Sequence, residues 1–135
     1  MLSVSDLYPA DAALRFPDAL ARAGFPPAQW EARCARGGLL AFAAEEGDVA
    51  VGFAVAVSYP QGVHVLTLEG AAPACALLLE RLVRAAGERD LSVCCPAERA
   101  DLRGVLQRRG FARRGYSDVA APVASLYHLD RHDGV

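Results

Sequence analysis

The sequence predicts an α/β fold of the α+β kind: one mixed central β-sheet with helices on both faces, a single domain over residues 1–135, in the order β-α-α-β-β-β-α-β-α-β-β. Three observations lead there. Three apolar segments joined by tight turns, Leu39–Ala44, Val49–Tyr59 and Val63–Glu69, read as an antiparallel meander. The strand-helix-strand passage from Val63 to Cys95 requires a right-handed crossover between parallel neighbours. The chain then alternates helix and strand once more, and its 135 residues, 53 % hydrophobic, can bury a core without metal or disulfide.

The elements follow in order. Ser5 or Asp6 caps a helix from Pro9 to Ala23, ended by Gly24 and the Pro26-Pro27 pair. A second helix runs from Pro27 to Arg36, with proline in its first turn and Gly37-Gly38 beyond its end; its Trp30 reads as core. Glu46-Gly47-Asp48 and Pro60-Gln61-Gly62 are the turns of the meander, and Gly52 in its long strand marks a bulge or a close packing contact. Ala74 to Ala86 is a helix whose Leu78, Leu79, Leu82, Val83 and Ala86 share a face, with Glu80 and Arg84 spaced i,i+4 on the other side. Gly87 ends it. Leu91–Cys95 is a short buried strand, and Glu98–Arg109 is a helix with Leu102, Val105 and Leu106 on one face and Gly110 after its end. Phe111–Tyr116 and Val123–Leu129 are the last two strands.

Composition narrows the function classes. A formal net charge of -2 gives no basic footprint for nucleic acid and no polybasic membrane segment. The N-terminus has no signal-peptide pattern, and no run approaches the roughly 18 apolar residues of a membrane span, which places the chain in the cytoplasm. Cys34, Cys75, Cys94 and Cys95 form no CxxC pair and no Cys/His ligand spacing, so neither a metal site nor a disulfide framework is expected. All 14 basic residues are Arg, and Lys, Ile and Asn are absent, as a GC-rich coding sequence would produce.

Three stretches, EEGDVAVGFAVAV, LEGAAPACALLLERLVRAAGERD and AERADLRGVLQRRGFARRG, in this order of elements, resemble the GNAT superfamily of acyl-CoA-dependent N-acetyltransferases over nearly the whole chain. The resemblance implies a GNAT-like sheet and acetyl-CoA held between two splayed parallel strands. The family's Arg/Gln-x-x-Gly-x-Gly/Ala loop falls here on Gly70, Pro73 and Cys75, and none of the three matches. The family's Asn early in the last helix is Arg99 here, and its acidic Tyr, four residues before Gly-Phe, is Leu106.

The expected cofactor-binding set is Leu66, Thr67 and Leu68 on the strand with Ala72, Ala74, Cys75 and Ala76 at the helix start. With Pro73 as the first helical residue the cap is Ala72, which has no side-chain acceptor, so the N–H groups of Ala74, Cys75 and Ala76 are left for water or an anion. Against an anion, Pro73 has no N–H and Glu69 brings a carboxylate that can itself fold onto the helix end. Cys75 reads as a small packed residue rather than an activated thiol, and the adjacent Cys94 and Cys95, pointing to opposite faces, read as core. For proton transfer Glu69 is the first choice as base, His64 the second, with Tyr59 nearby and Tyr116 as a donor to the leaving thiolate. Five positions separate His64 from Glu69, so an unbroken strand sets them on opposite faces.

Two functions are carried forward: an acetyltransferase acting on a small-molecule or peptide amine, and a GNAT-fold binding or regulatory module without acetyl-CoA or catalysis. The acceptor and the oligomeric state, a homodimer included, are not written in the sequence.

Overall fold

Pro17 divides the first helical segment. Its missing N–H and its ring are tolerated only in a first helical turn, so the single helix expected over Pro9–Ala23 forms as two, α1 (Pro9–Arg15) and α2 (Pro17–Arg22), turning at Phe16. The computed structural model describes residues 1–117 and 124–129. Ahead of α1 lies β1 (Leu2–Asp6), and after α2 come α3 (Pro27–Ala35), β2 (Leu39–Glu46), β3 (Val49–Ser58) and β4 (Gly62–Gly70). Then follow α4 (Ala72–Ala86), β5 (Asp90–Pro96), α5 (Ala100–Arg109), β6 (Ala112–Ser117) and β7 (Ala124–Leu129). Val123, expected to open the last strand, lies outside the described residues.

Among the described residues one seven-stranded sheet has the order β1-β2-β3-β4-β5-β7-β6, and its one parallel pairing is β4–β5. Ser5 and Asp6 belong to β1 instead of capping a helix. The Ser5 hydroxyl donates to Glu45 across the sheet, and Asp6 accepts from Arg81 of α4 at 3.1 Å. The N-cap of α1 is Tyr8, without a side-chain cap.

Each sheet face buries its own cluster. On one, Leu78, Leu79 and Leu82 of α4 and Leu102 and Leu106 of α5 pack on Val63, Val65, Leu91 and Val93. On the other, Leu20 and Trp30 cover Phe53 and Val55. The Trp30 indole N–H donates to the Pro9 carbonyl at 2.8 Å, and Phe16 stacks on Phe53 with ring centroids 4.2 Å apart. Glu80 does not pair with Arg84 as its spacing suggested: Arg109 Nε reaches both its oxygens, at 2.6 and 2.9 Å, tying α4 to α5.

Candidate active site

β4 and β5 pair from Gly62↔Asp90 to Val65↔Val93 and no further, although β4 runs on to Gly70 and β5 to Pro96. Three constraints open this gap. The β3–β4 register passes from Ala56↔Val65 to Val55↔Thr67, so Leu66 is an extra residue that bends β4 where the parallel pairing ends. Beyond it, Gly52 and Gly70 allow β3, β4 and α4 to approach closely. A Cβ on Gly52 would lie 2.6 Å from the Glu69 carbonyl, and Gly70, at φ +126°, would set one 2.9 Å from the Val51 carbonyl. β5 is meanwhile held along its far edge by β7, from Leu91↔Leu129 to Pro96↔Ala124. Gly52 thus marks both a close contact and a neighbouring bulge, at Val51.

The expected cofactor residues border this gap. Leu66, Thr67 and Leu68 lie on β4 beyond its last pair with β5, Leu68 facing the α4–α5 cluster and Leu66 the α1–α3 cluster. The helix begins one residue earlier than expected, with Ala71 at the cap and Pro73 second. The Cys75 N–H therefore bonds the Ala71 carbonyl at 3.0 Å, and Ala76 lies deeper in the ladder. This corrects the expected donor set. The first-turn amides with no acceptor in the helix are those of Ala72 and Ala74. Glu69 does not cap the helix, which has no side-chain cap. Cys75 is fully buried with its thiol against the Gly70 carbonyl at 3.3 Å, and burial raises its pKa despite the nearby Arg99.

Arg99 spans the open end of the gap. It sits at the N-cap of α5, before the helix, where Glu98 had been expected to begin it. Nη1 donates to the Leu68 carbonyl at 3.3 Å and Nη2 to the Gly70 carbonyl at 3.2 Å, on the β4 edge that β5 has left. Nε donates to Asp101 at 3.1 Å, which holds that carboxyl below its ordinary value. Arg99 Nη1 is also 3.6 Å from Glu69, whose other oxygen is 3.8 Å from Arg22 of α2 and accepts from Thr67 at 3.4 Å. Glu69 thus lies between two guanidinium groups.

The bulge at Leu66 also resets the faces of β4. Val57 opposes His64 and Phe53 opposes Glu69, and the strand parity restored by the extra residue sets His64, Thr67 and Glu69 on the α1–α3 face. The expectation of opposite faces fails for this reason. His64 Nδ1 lies 2.7 Å from Ser92 Oγ, and Nε2 lies 3.8 Å from Cys94 Sγ. Burial lowers the His64 pKa below its ordinary 6.5. Cys95 alone of the adjacent pair joins the core; Cys94, read from the sequence as core, is half-buried beside His64. Tyr59 is exposed, and with His64, Asp90 and Ser92 it borders a shallow cavity of about 190 Å³. Tyr116 pairs with Ser125 through its backbone, while its side chain lies outside the described residues. Leu106, in place of the family's acidic Tyr, is fully buried on the core-facing side of α5.

Two of these groups were missed by sequence reading. Arg99 was visible only as a replacement, since nothing in its spacing says that it reaches β4. The Cys94–His64–Ser92 chain depends on the β4–β5 register, which a single sequence does not display.

No family model and no curated protein sequence matches the chain. Solved structures do. The ribosomal-protein-S18-alanine N-acetyltransferase from Escherichia coli is similar at a TM-score of 0.71 and 16 % identity, over 96 % of this chain and 93 % of that one. An N-acetyltransferase from Staphylococcus aureus Mu50 is similar at 0.73 and 9 %, over 97 % and 98 %. A Desulfovibrio desulfuricans protein described as an acetyltransferase of the GNAT family is similar at 0.67 and 20 %, over 97 % and 99 %. At these identities the likeness is one of architecture, and the chain has the fold of the GNAT acetyltransferases.

Proposed function

We propose that this chain is an acyl-CoA-dependent N-acyltransferase that moves an acetyl group from acetyl-CoA to a small-molecule or peptide amine. The observation that carries the reading is the separation of β4 from β5 after Val65 and Val93. It leaves a strand edge at Leu66–Leu68 beside the first-turn amides of Ala72 and Ala74. The residues fit such a donor. The unpaired edge offers backbone donors and acceptors to an extended amide chain, as an added strand would find, and the helix start favours an anion. Acetyl-CoA, when bound, supplies an activated acyl carbonyl. The N–H groups of the β4 edge stabilise negative charge on an oxygen there. His64, on the face of Glu69 and with its pKa lowered by burial, is suited to take a proton from an amine near neutral pH. Glu69 orders Arg22 and Arg99 around the gap.

A second reading keeps the fold as a binding or regulatory module without acetyl-CoA. It is favoured by Arg99, whose guanidinium already takes the Leu68 and Gly70 carbonyls. A thermal-shift titration with acetyl-CoA and with CoA separates the two. Under the first reading Tm rises with ligand as ln(1 + [L]/Kd). A Tm that stays constant up to millimolar ligand leaves only the second.

A further inference from the structure

We propose that Cys94 is an acyl-accepting nucleophile: it takes the acyl group of an acyl thioester as a covalent S-acyl intermediate, with His64 as its base and Ser92 holding the His64 ring. The inference rests on the acyl-thioester reading of the gap, and it replaces direct transfer to the amine by two transfers through the protein.

The three groups have the relation that nucleophilic catalysis needs, a nucleophile within reach of a base whose other nitrogen is fixed by a third group. Cys94 Sγ is 3.8 Å from His64 Nε2, within hydrogen-bond distance for sulfur, and His64 Nδ1 is 2.7 Å from Ser92 Oγ. The tautomer that donates Nδ1–H to Ser92 leaves the Nε2 lone pair toward the thiol. Backbone pairing makes the arrangement rigid. His64 and Ser92 are partners in the parallel ladder, and Cys94 is paired on its far side with Leu126 of β7.

Position supplies the second argument. Val65↔Val93 is the last β4–β5 pair, so Cys94 is the first β5 residue past the fork, on the strand facing the Leu66 bulge. A donor lying along the β4 edge at Leu66–Leu68 would have its reacting end beside this thiol. Cys94 and Ser92 belong to neither buried cluster. His64 and Ser92 also wall the shallow cavity of about 190 Å³, which gives a second molecule a way to the imidazole. Asp90 lies on the same wall, its Oδ2 3.9 Å from His128 Nε2.

In the first step the Cys94 thiol proton passes to His64 Nε2 and the Sγ–acyl carbon bond forms. The bond from that carbon to the donor sulfur breaks, and the donor thiol leaves with the proton from Nε2. In the second, an amine attacks the same carbon and gives its proton to Nε2; the C–Sγ bond breaks and Sγ recovers the proton. One acyl group moves from thiol to amine, and Cys94 and His64 return to their starting states.

The test is intact-mass spectrometry of the full chain mixed with acetyl-CoA and quenched in acid before turnover, beside the CoA thermal shift. The expected result is one acetyl group per chain, released by hydroxylamine, mapped to Cys94 by digestion and absent in Cys94→Ala. In His64→Gln it should form about a hundredfold more slowly. A CoA-dependent Tm shift without an adduct, or an adduct on another residue, overturns the proposal and leaves the acyl-CoA reading standing. Absence of both shift and adduct overturns the two together. Should Cys94→Ala fail to fold, the adduct's mapped position in the unaltered chain decides the matter by itself.

Discussion

At the scale of single residues, His64 illustrates how a sheet converts an ordinary side chain into a tuned one. Its ring is half-buried between β4 and β5, and desolvation disfavours the imidazolium, so its folded pKa lies below 6.5. The unfolded chain therefore binds the proton first as pH falls. Stability contributed by the neutral ring is present above pH 6.5 and is lost as pH drops from there through the lowered folded value. Tm measured from pH 7.5 to pH 5 should fall, and His64→Gln should flatten part of that fall. An unchanged slope in the variant would assign the effect to other groups. Glu69 differs in kind: its carboxylate lies 3.8 Å from Arg22 and 3.6 Å from Arg99, which ties it to the two cations that flank the gap.

At the scale of elements, the gap is produced by what its flanking strands do elsewhere. β4 is drawn onto β3 and α4 by the Gly52–Gly70 contact, while β7 holds β5. Gly52→Ala places a methyl 2.6 Å from the Glu69 carbonyl, against backbone that has little room to move. It should cost about 1–3 kcal/mol, read by chemical denaturation. Arg99→Ala removes two donors from the β4 edge and should cost about 1 kcal/mol, because water can replace them at this partly open end. It should also enlarge the Tm rise on CoA addition, since the same carbonyls are freed. Loss of the CoA shift in that variant would instead make Arg99 a direct contact to the anion. The α4 leucines, the Pro27 start of α3 and the Gly110 end of α5 were all legible in the sequence, because each depends on neighbours within a few residues. The break at Pro17 was legible in principle and outweighed by the apolar pattern around it.

At the scale of the molecule, two clusters on opposite faces share one sheet but not one strength. α1 and α2, of 7 and 6 residues, are too short to persist alone and depend on packing against Phe53 and Val55. α4, of 15 residues, is anchored by seven buried side chains in the other cluster. Amide hydrogen exchange should therefore show α1 and α2 opening at lower free energy than β3, β4 and α4. Equal protection would mean that the two faces unfold as one unit. The α1–α2 side also carries Arg22, so such openings would loosen one of the two guanidiniums on Glu69.

By itself the sequence determined the meander, the parallel crossover and the order of the later helices, because hydrophobic period and turn residues act locally and handedness allows one closure. It also placed Leu66–Leu68 and the start of α4 at the strand end. Only the tertiary structure decided that the parallel pairing stops at Val65 and Val93, that one bulged residue returns His64 and Glu69 to the same face, and that Arg99 crosses the gap. A register is a relation between segments distant in the chain, and one inserted residue in a strand reverses every side chain beyond it. Cys94 therefore meets His64 only in the folded molecule, across 30 positions of sequence.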